Sequence, residues 1–363
     1  MTNKLISLLD YENKAKQLLP KDTWQFISGG ALDETTVLRN RLAINQCLLQ
    51  PKRLKNVGSV DVSTKVLGSI IQLPVMISPA GSQSLAHDQA EEATASAASR
   101  ASTVMVVGTA ASRKLETVRK VSNGLLWFQL YHHGIALTEM LIRRAEMAGY
   151  QALCVTVDVP YTITAEKDLR NHWKLPYGTE MANFTCDEAG LGIKPNTADA
   201  RQYRRPPHVP VTWDTLEWIR SLTTLPIVIK GIMRADDAVG CVERGVQGVI
   251  VSNHGGRQLD GQASTIEVLP EIVRAVGQKC EVFVDGGFRR GIDVLKAVAL
   301  GAKAVLIARP VFHGLAVAGD VGVEHVLTIL RNELYEAMAL CGVNTLAEVD
   351  RDLIYNCPST APL

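Results

Sequence analysis

Eight short apolar runs recur along the chain from residue 74 onward, and few folds accommodate such a rhythm. They are PVMIS (74–78), TVMVV (103–107), LLWFQL (125–130), ALCVTV (152–157), PIVIK (226–230), GVIVS (248–252), EVFVD (281–285) and AVLIA (304–308). Between most of them lie amphipathic stretches suited to one helix each, such as LTEMLIRRAEMAGY, RADDAVGCVERG and GIDVLKAVALGA. The runs are continuous rather than alternating, as expected of strands buried on both faces. Eight strand–helix units of this kind predict an α/β fold, the closed parallel TIM (β/α)8 barrel. An open doubly wound sheet is disfavoured, since no G-x-G-x-x-G turn follows the first strand. At 363 residues and 47% hydrophobic the chain can bury a large core as one big domain or two ordinary ones, and the rhythm assigns residues 1–363 to a single barrel domain.

Two segments stand outside the rhythm. Residues 1–70 read as an N-terminal helical extension: Leu5, Leu8, Leu9, Ala15, Leu18 and Leu19 mark amphipathic turns that stop before Pro20, Ser28-Gly29-Gly30 is a turn, and a second helical pattern starts at Asp33. The polar, β-branched stretch VGSVDVSTKVLGSIIQLP then leads into the barrel. After the fourth strand a long loop, residues 159–210, is rich in Gly, Pro and charge, which predicts a lid or mobile segment. Arg201, Arg204 and Arg205 make it locally basic, as a solvated loop can be.

Composition excludes several functions. Lys plus Arg total 38 against 37 Asp plus Glu, so no long-range field directs the chain to nucleic acid or to an anionic membrane. No window approaches ~18 consecutive apolar residues, and the charged N-terminus lacks the pattern of a secretory signal. The seven cysteines (Cys47, Cys154, Cys186, Cys241, Cys280, Cys341, Cys357) are scattered without a C-x-x-C pair, which suits reduced core residues of a cytoplasmic protein and no metal site. The sequon at Asn183-Phe184-Thr185 reads as chance.

In such a barrel, chemistry sits at the carboxyl ends of the strands. Those ends carry Pro79-Ala80-Gly81, Gly108-Thr109, Gln129 and Tyr131, Thr156 and Asp158, Lys230, Ser252 with His254 and Arg257, Asp285-Gly286-Gly287 with Arg289, and Arg309. Asp158 can hold His254 in one tautomer and stabilise its cation. Lys230 on a buried strand end requires a negative partner, which a cofactor that becomes anionic in turnover would supply. Gly286, Gly287, Arg289 and Arg309, after strands seven and eight, fit the usual phosphate site of this fold.

With these residues in place, the chain resembles the FMN-dependent α-hydroxy-acid oxidases and dehydrogenases. The resemblance runs from LLDYENKAKQLLP through WFQLY, TVDVP, LPIVIKGI, VSNHGGRQLDG, VDGGFRRGIDVLKA and ARPV to the final helix, and SNHGGRQLD is its most specific part. It implies a TIM barrel with FMN at its mouth, typically in a homotetramer. It also implies that His254 is the active-site base paired with Asp158, that Arg257 anchors the substrate carboxylate, and that Lys230 is the cation beside the flavin pyrimidine. Tyr131 resembles the active-site tyrosine. Pro79, Ala80, Gly81, Gly108, Gln129, Thr156, Ser252, Asp285, Gly286, Gly287, Arg289 and Arg309 fall on flavin, ribityl or phosphate contacts.

The sequence departs from that pattern at the substrate end. Phe26 stands where the family usually has a carboxylate-binding tyrosine, and the common R-R-E-x-D run reads Thr164-Ala165-Glu166-Lys167-Asp168, so that Ala165 replaces an arginine. Gly81, Gly108 and Ala110 replace larger residues, which predicts a wider pocket. These changes point to a bulky aryl or long-chain 2-hydroxy acid as substrate, with oxygen as electron acceptor giving hydrogen peroxide. Oxidation of an amino acid, an amine or a modified peptide is the alternative. A flavoprotein kept only for binding is a third reading, opposed by the intact His254, Asp158, Lys230 and Arg257.

Overall fold

A computed structural model describes residues 4–161, 165–176, 179, 181–184 and 209–356. Eight parallel strands close on themselves: β1 (Val75–Ile77), β2 (Val104–Gly108), β3 (Leu125–Leu130), β4 (Ala152–Thr156), β5 (Ile227–Ile232), β6 (Gly248–Val251), β7 (Glu281–Asp285) and β8 (Ala304–Ile307), the last pairing back onto the first. Each lies within or one or two residues beyond an apolar run of the sequence. The physical reason for the unbroken runs is two separate cores. Met76, Val106, Trp127, Cys154, Val228, Ile250, Phe283 and Leu306, one from each strand, meet inside the barrel. Their neighbours, such as Val75, Val107, Phe128 and Val249, face the outer helices. Inside, Trp127 packs edge-on against Phe283 with ring centroids 5.7 Å apart.

The amino end of the barrel is plugged by a hairpin of Thr64–Val66 and Ser69–Ile71, whose Val66 and Ile71 join the inner core. Its turn residue Leu67 donates its N–H to the Glu281 carboxylate at the start of β7, at 2.9 Å. Among the described residues of the N-terminal extension the α-helices are α1 (Leu8–Leu18), α2 (Lys21–Ser28) and α3 (Thr35–Gln46), so the helical part ends at residue 46 rather than 70. Helix α1 is set by a capping box: Asp10 N–H donates to Ser7 Oγ, and Ser7 N–H donates to the Asp10 carboxylate. Helix α2 carries no signal in the sequence beyond Pro20 before its first residue.

The outer helices are α4 (Ala90–Arg100), α5 (Leu115–Lys120), α6 (Ile135–Met147), α7 (Glu166–Arg170), α8 (Trp213–Ser221), α9 (Ala235–Glu243), α10 (Thr265–Val276), α11 (Gly291–Ala299) and α12 (Arg309–Cys341), the last interrupted at Ala318 and Gly319. Among the described residues no helix is long and apolar enough to cross a membrane. Cys47, Cys154, Cys241, Cys280 and Cys341 are buried free thiols, while Cys186 and Cys357 lie outside the described residues, as do Arg201, Arg204 and Arg205. Asn183 is buried, accepts the Leu115 N–H at 2.9 Å and donates to the Thr109 carbonyl at 3.1 Å, so this fold does not present it for glycosylation.

Candidate active site

The carboxyl ends of the strands surround a cavity of about 570 Å³. Its floor is set by Lys230, next to last but one on β5 and almost fully buried. The ammonium lies 3.1 Å from Asp285 Oδ2 at the end of β7 and donates to Ser252 Oγ at 2.8 Å. Burial alone would lower its pKa, but the charges of Asp285 and Asp158 hold it above the ordinary lysine value. Lys230 is therefore a fixed cation under the cavity.

After β6 the backbone reverses sharply. His254, Gly255 and Gly256 take φ of +56°, +62° and +75°, and His254 bears the cost of a left-handed conformation that residues with a side chain avoid. Glycine is required at 256, where a Cβ would stand 2.7 Å from the Val37 backbone nitrogen on α3. The His254 N–H is held by Ser252 Oγ at 3.1 Å, and the reversal turns the imidazole toward the cavity. Nδ1 meets Asp158 Oδ1 at 2.9 Å. Asp158 stays below the usual carboxylate pKa: burial would raise it, but the His254 and Lys230 charges outweigh that. A carboxylate acceptor fixes the proton on Nδ1 and leaves Nε2 for a ligand in the cavity.

Three arginines converge on one side. Arg257 donates to the Phe26 and Gly29 carbonyls at 2.8 and 3.0 Å, with its guanidinium 5.1 Å from the centre of the Phe26 ring. Arg309, the first residue of α12, donates to the carbonyls of Ile27, Gly29 and Gly255. Burial, with the charges of Arg257 and Arg289, pushes its pKa down to about 9. Arg289 is also depressed by burial, and its nearest carboxylate oxygen, on Glu12, is 3.8 Å away. Cations repelling one another at a helix N-terminus beside Gly286 and Gly287 (φ +98° and +91°) form a site for a multiply charged anion.

Phe26 also stacks on Trp173 of the loop after β4, with ring centroids 5.1 Å apart and planes 22° from parallel. Ala165, Asp168, Leu175 and Met181 complete that wall. Trp173 carried no recognisable signal in the sequence, because its partner comes from the distant N-terminal helix α2.

The structure brings most of the sequence-derived set to this cavity. Phe26, Pro79, Ala80, Gly81, Gln129, Tyr131, Ala165, Lys230, His254, Arg257, Asp285, Gly286, Gly287, Arg289 and Arg309 line it. Gly108, Thr156, Ser252 and Asp158 are not among the lining residues, whereas Ala110 and Gly81 are. Among the described residues no group of three or more His, Cys, Asp or Glu could hold a metal ion.

Residues 15–356 match the family described as FMN-dependent dehydrogenase. The chain belongs to that family. It is 45% identical over 358 residues to L-lactate oxidase of Nostoc sp., covering 96% of this chain and 98% of that one. It is 42% identical over 364 residues to 2-hydroxyacid oxidase 1 of Homo sapiens, covering 99% and 98%. Among solved structures, mandelate oxidase with (S)-2-phenylpropionate superposes with a TM-score of 0.88 at 38% identity, covering 98% of this chain and 99% of that one.

The family cofactor is FMN, and the residues present fit it. Among the described residues, buried Gln129 Nε2, Thr156 Oγ1 and Asp285 Oδ1 have no hydrogen-bond partner, and a flavin's polar ring edge and ribityl chain would supply donors and acceptors for such groups. The Arg289 and Arg309 cluster suits its phosphate, and Lys230 its pyrimidine.

Proposed function

We propose that this chain oxidises a bulky aryl or long-chain 2-hydroxy acid to the 2-oxo acid, with oxygen reduced to hydrogen peroxide. The observation that carries the reading is the placement of His254, Arg257 and the Phe26–Trp173 wall around one cavity. Arg257 receives the substrate carboxylate, and stacking on Phe26 holds its guanidinium in place. His254 Nε2 accepts the hydroxyl proton, while Asp158 stabilises the imidazolium that results. Tyr131, also lining the cavity, hydrogen-bonds the substrate oxygen in this reading. When bound, FMN would supply the two-electron acceptor for the hydrogen and electron pair of the substrate's C–H bond, and the route from there to oxygen. Lys230 stabilises the negative charge that this places on the pyrimidine side.

The size preference rests on Gly81 and Ala110 in the lining and on Phe26 and Ala165 in place of a hydrogen-bonding tyrosine and an arginine, with Trp173 stacked on Phe26. The mandelate oxidase relatives, which bind aryl ligands, support it. We further propose a cytoplasmic homotetramer, in keeping with the exposed Leu38 and Leu42 on α3, and a single domain over residues 1–363.

The test is anaerobic bleaching of the yellow protein by lactate, glycolate, mandelates, long-chain 2-hydroxy acids, amino acids and amines. Faster bleaching by mandelates or long-chain acids than by glycolate is expected. Silence from every hydroxy acid with bleaching by an amine would overturn the reading.

A further inference from the structure

One carboxylate in the cavity has no task in the reaction described. Asp168, in the third position of α7, lines the cavity one helical turn from Ala165 and is partly buried. Among the described residues it makes no side-chain hydrogen bond and no ion pair, although other charges of its helix are matched. Lys167 pairs with Glu34 at 2.6 Å, and Arg170 pairs with Glu166. Burial raises the Asp168 pKa, and the one positive charge that opposes this is Arg257. Lys174 also lines the cavity but is exposed, where water screens its charge. A half-buried carboxylate without a partner is costly unless a ligand supplies one. The cavity thus carries a cation, Arg257, for one end of a substrate and an anion, Asp168, on the loop after β4, within electrostatic reach of each other. Ala165 brings no charge of its own, so Arg257 is the cation that acts on Asp168.

We infer that Asp168 is a specificity-determining residue that receives a positively charged group on the substrate side chain. The preferred substrate is then a long-chain 2-hydroxy acid bearing a distal ammonium. This rests on the proposed hydroxy-acid oxidation and narrows its substrate class. A side chain ending in a second carboxylate is rejected by the same charge, and a neutral chain of equal length falls between.

The experiment compares kcat/KM for matched 2-hydroxy acids ending in an ammonium, a methyl group or a carboxylate, at several chain lengths, in the wild-type holoenzyme and in Asp168→Asn. In the wild type, the ammonium acid should exceed its neutral counterpart by about tenfold, a discounted value for a partly exposed pair. Asp168→Asn should remove that advantage through KM and improve the dicarboxylate, with flavin content unchanged. A purely structural role would lower all three substrates together, which would overturn the inference. Equal wild-type values for the ammonium and neutral acids would overturn it without recourse to the variant. Bleaching by neutral acids in that case would leave the oxidation itself standing, whereas failure of every hydroxy acid would sink both.

Discussion

His254 Nδ1 lies 2.9 Å from Asp158 Oδ1, so the loop after β6 and the loop after β4 meet through a base and the carboxylate that orients it. The contact is protected, since Asp158 is kept ionised by His254 and Lys230 against the effect of its burial. Asp158→Asn keeps the shape but loses the charge and can favour the wrong tautomer. Anaerobic flavin reduction by substrate should slow by about a hundredfold or more, with FMN retained and the acid limb of the pH–rate profile moved. Reduction at the wild-type rate would show that Asp158 does not act on His254.

Gly81 and Gly108 look equivalent in the sequence and are not equivalent in space. A Cβ on Gly81 would stand 2.5 Å from the Ala110 carbonyl oxygen and 2.9 Å from its Cβ, so the loop after β2 must move. A Cβ on Gly108 meets nothing closer than Gln129 Oε1 at 3.5 Å, an ordinary contact. Gly81→Ala should therefore cost about 1–3 kcal/mol and slow the bulkiest substrates, while Gly108→Ala should stay within about 0.5 kcal/mol. Denaturant unfolding of both variants, with a substrate series, checks this; equal costs would contradict it.

The barrel was legible because its strands are buried on both faces, so eight unbroken apolar runs survive in the sequence as a rhythm. The site was legible where chemistry demands one residue type at a strand end, as at Lys230, His254 and Arg257. It was illegible where the determinant is a contact between distant segments. Trp173 gains its role only by stacking on Phe26. Asp168 stood in the sequence only as the end of the Thr164–Asp168 run, and the fold shows that, among the described residues, Glu166, Lys167 and Arg170 are paired and it is not. Helix α2 was missed because an eight-residue helix offers too few turns for its periodicity to stand out.

Glu91 presents the same difficulty and yields a pH prediction. It reads as an acidic residue in the first turn of a surface helix, yet its side chain is fully buried. One oxygen accepts the N–H groups of Gln83 and Ser112, at 3.2 and 3.0 Å, tying together the loops after β1 and β2 that border the cavity. The other oxygen has no partner, and burial raises the carboxyl pKa from 4.5 to about 7 against the lowering effect of those hydrogen bonds. A carboxyl whose pKa is higher folded than unfolded stabilises the fold fully below the unfolded value. That contribution is lost as pH rises through the folded one, because only the unfolded chain releases the proton freely in between. Glu91 should thus remove roughly 3 kcal/mol of stability between about pH 4.5 and pH 7. Glu91→Gln keeps an acceptor for both N–H groups and cannot ionise. The gap between wild type and variant, from urea unfolding at a series of pH values, should shift in favour of the variant across that window and level off above it. Parallel curves would show that Glu91 is ionised in the folded chain throughout.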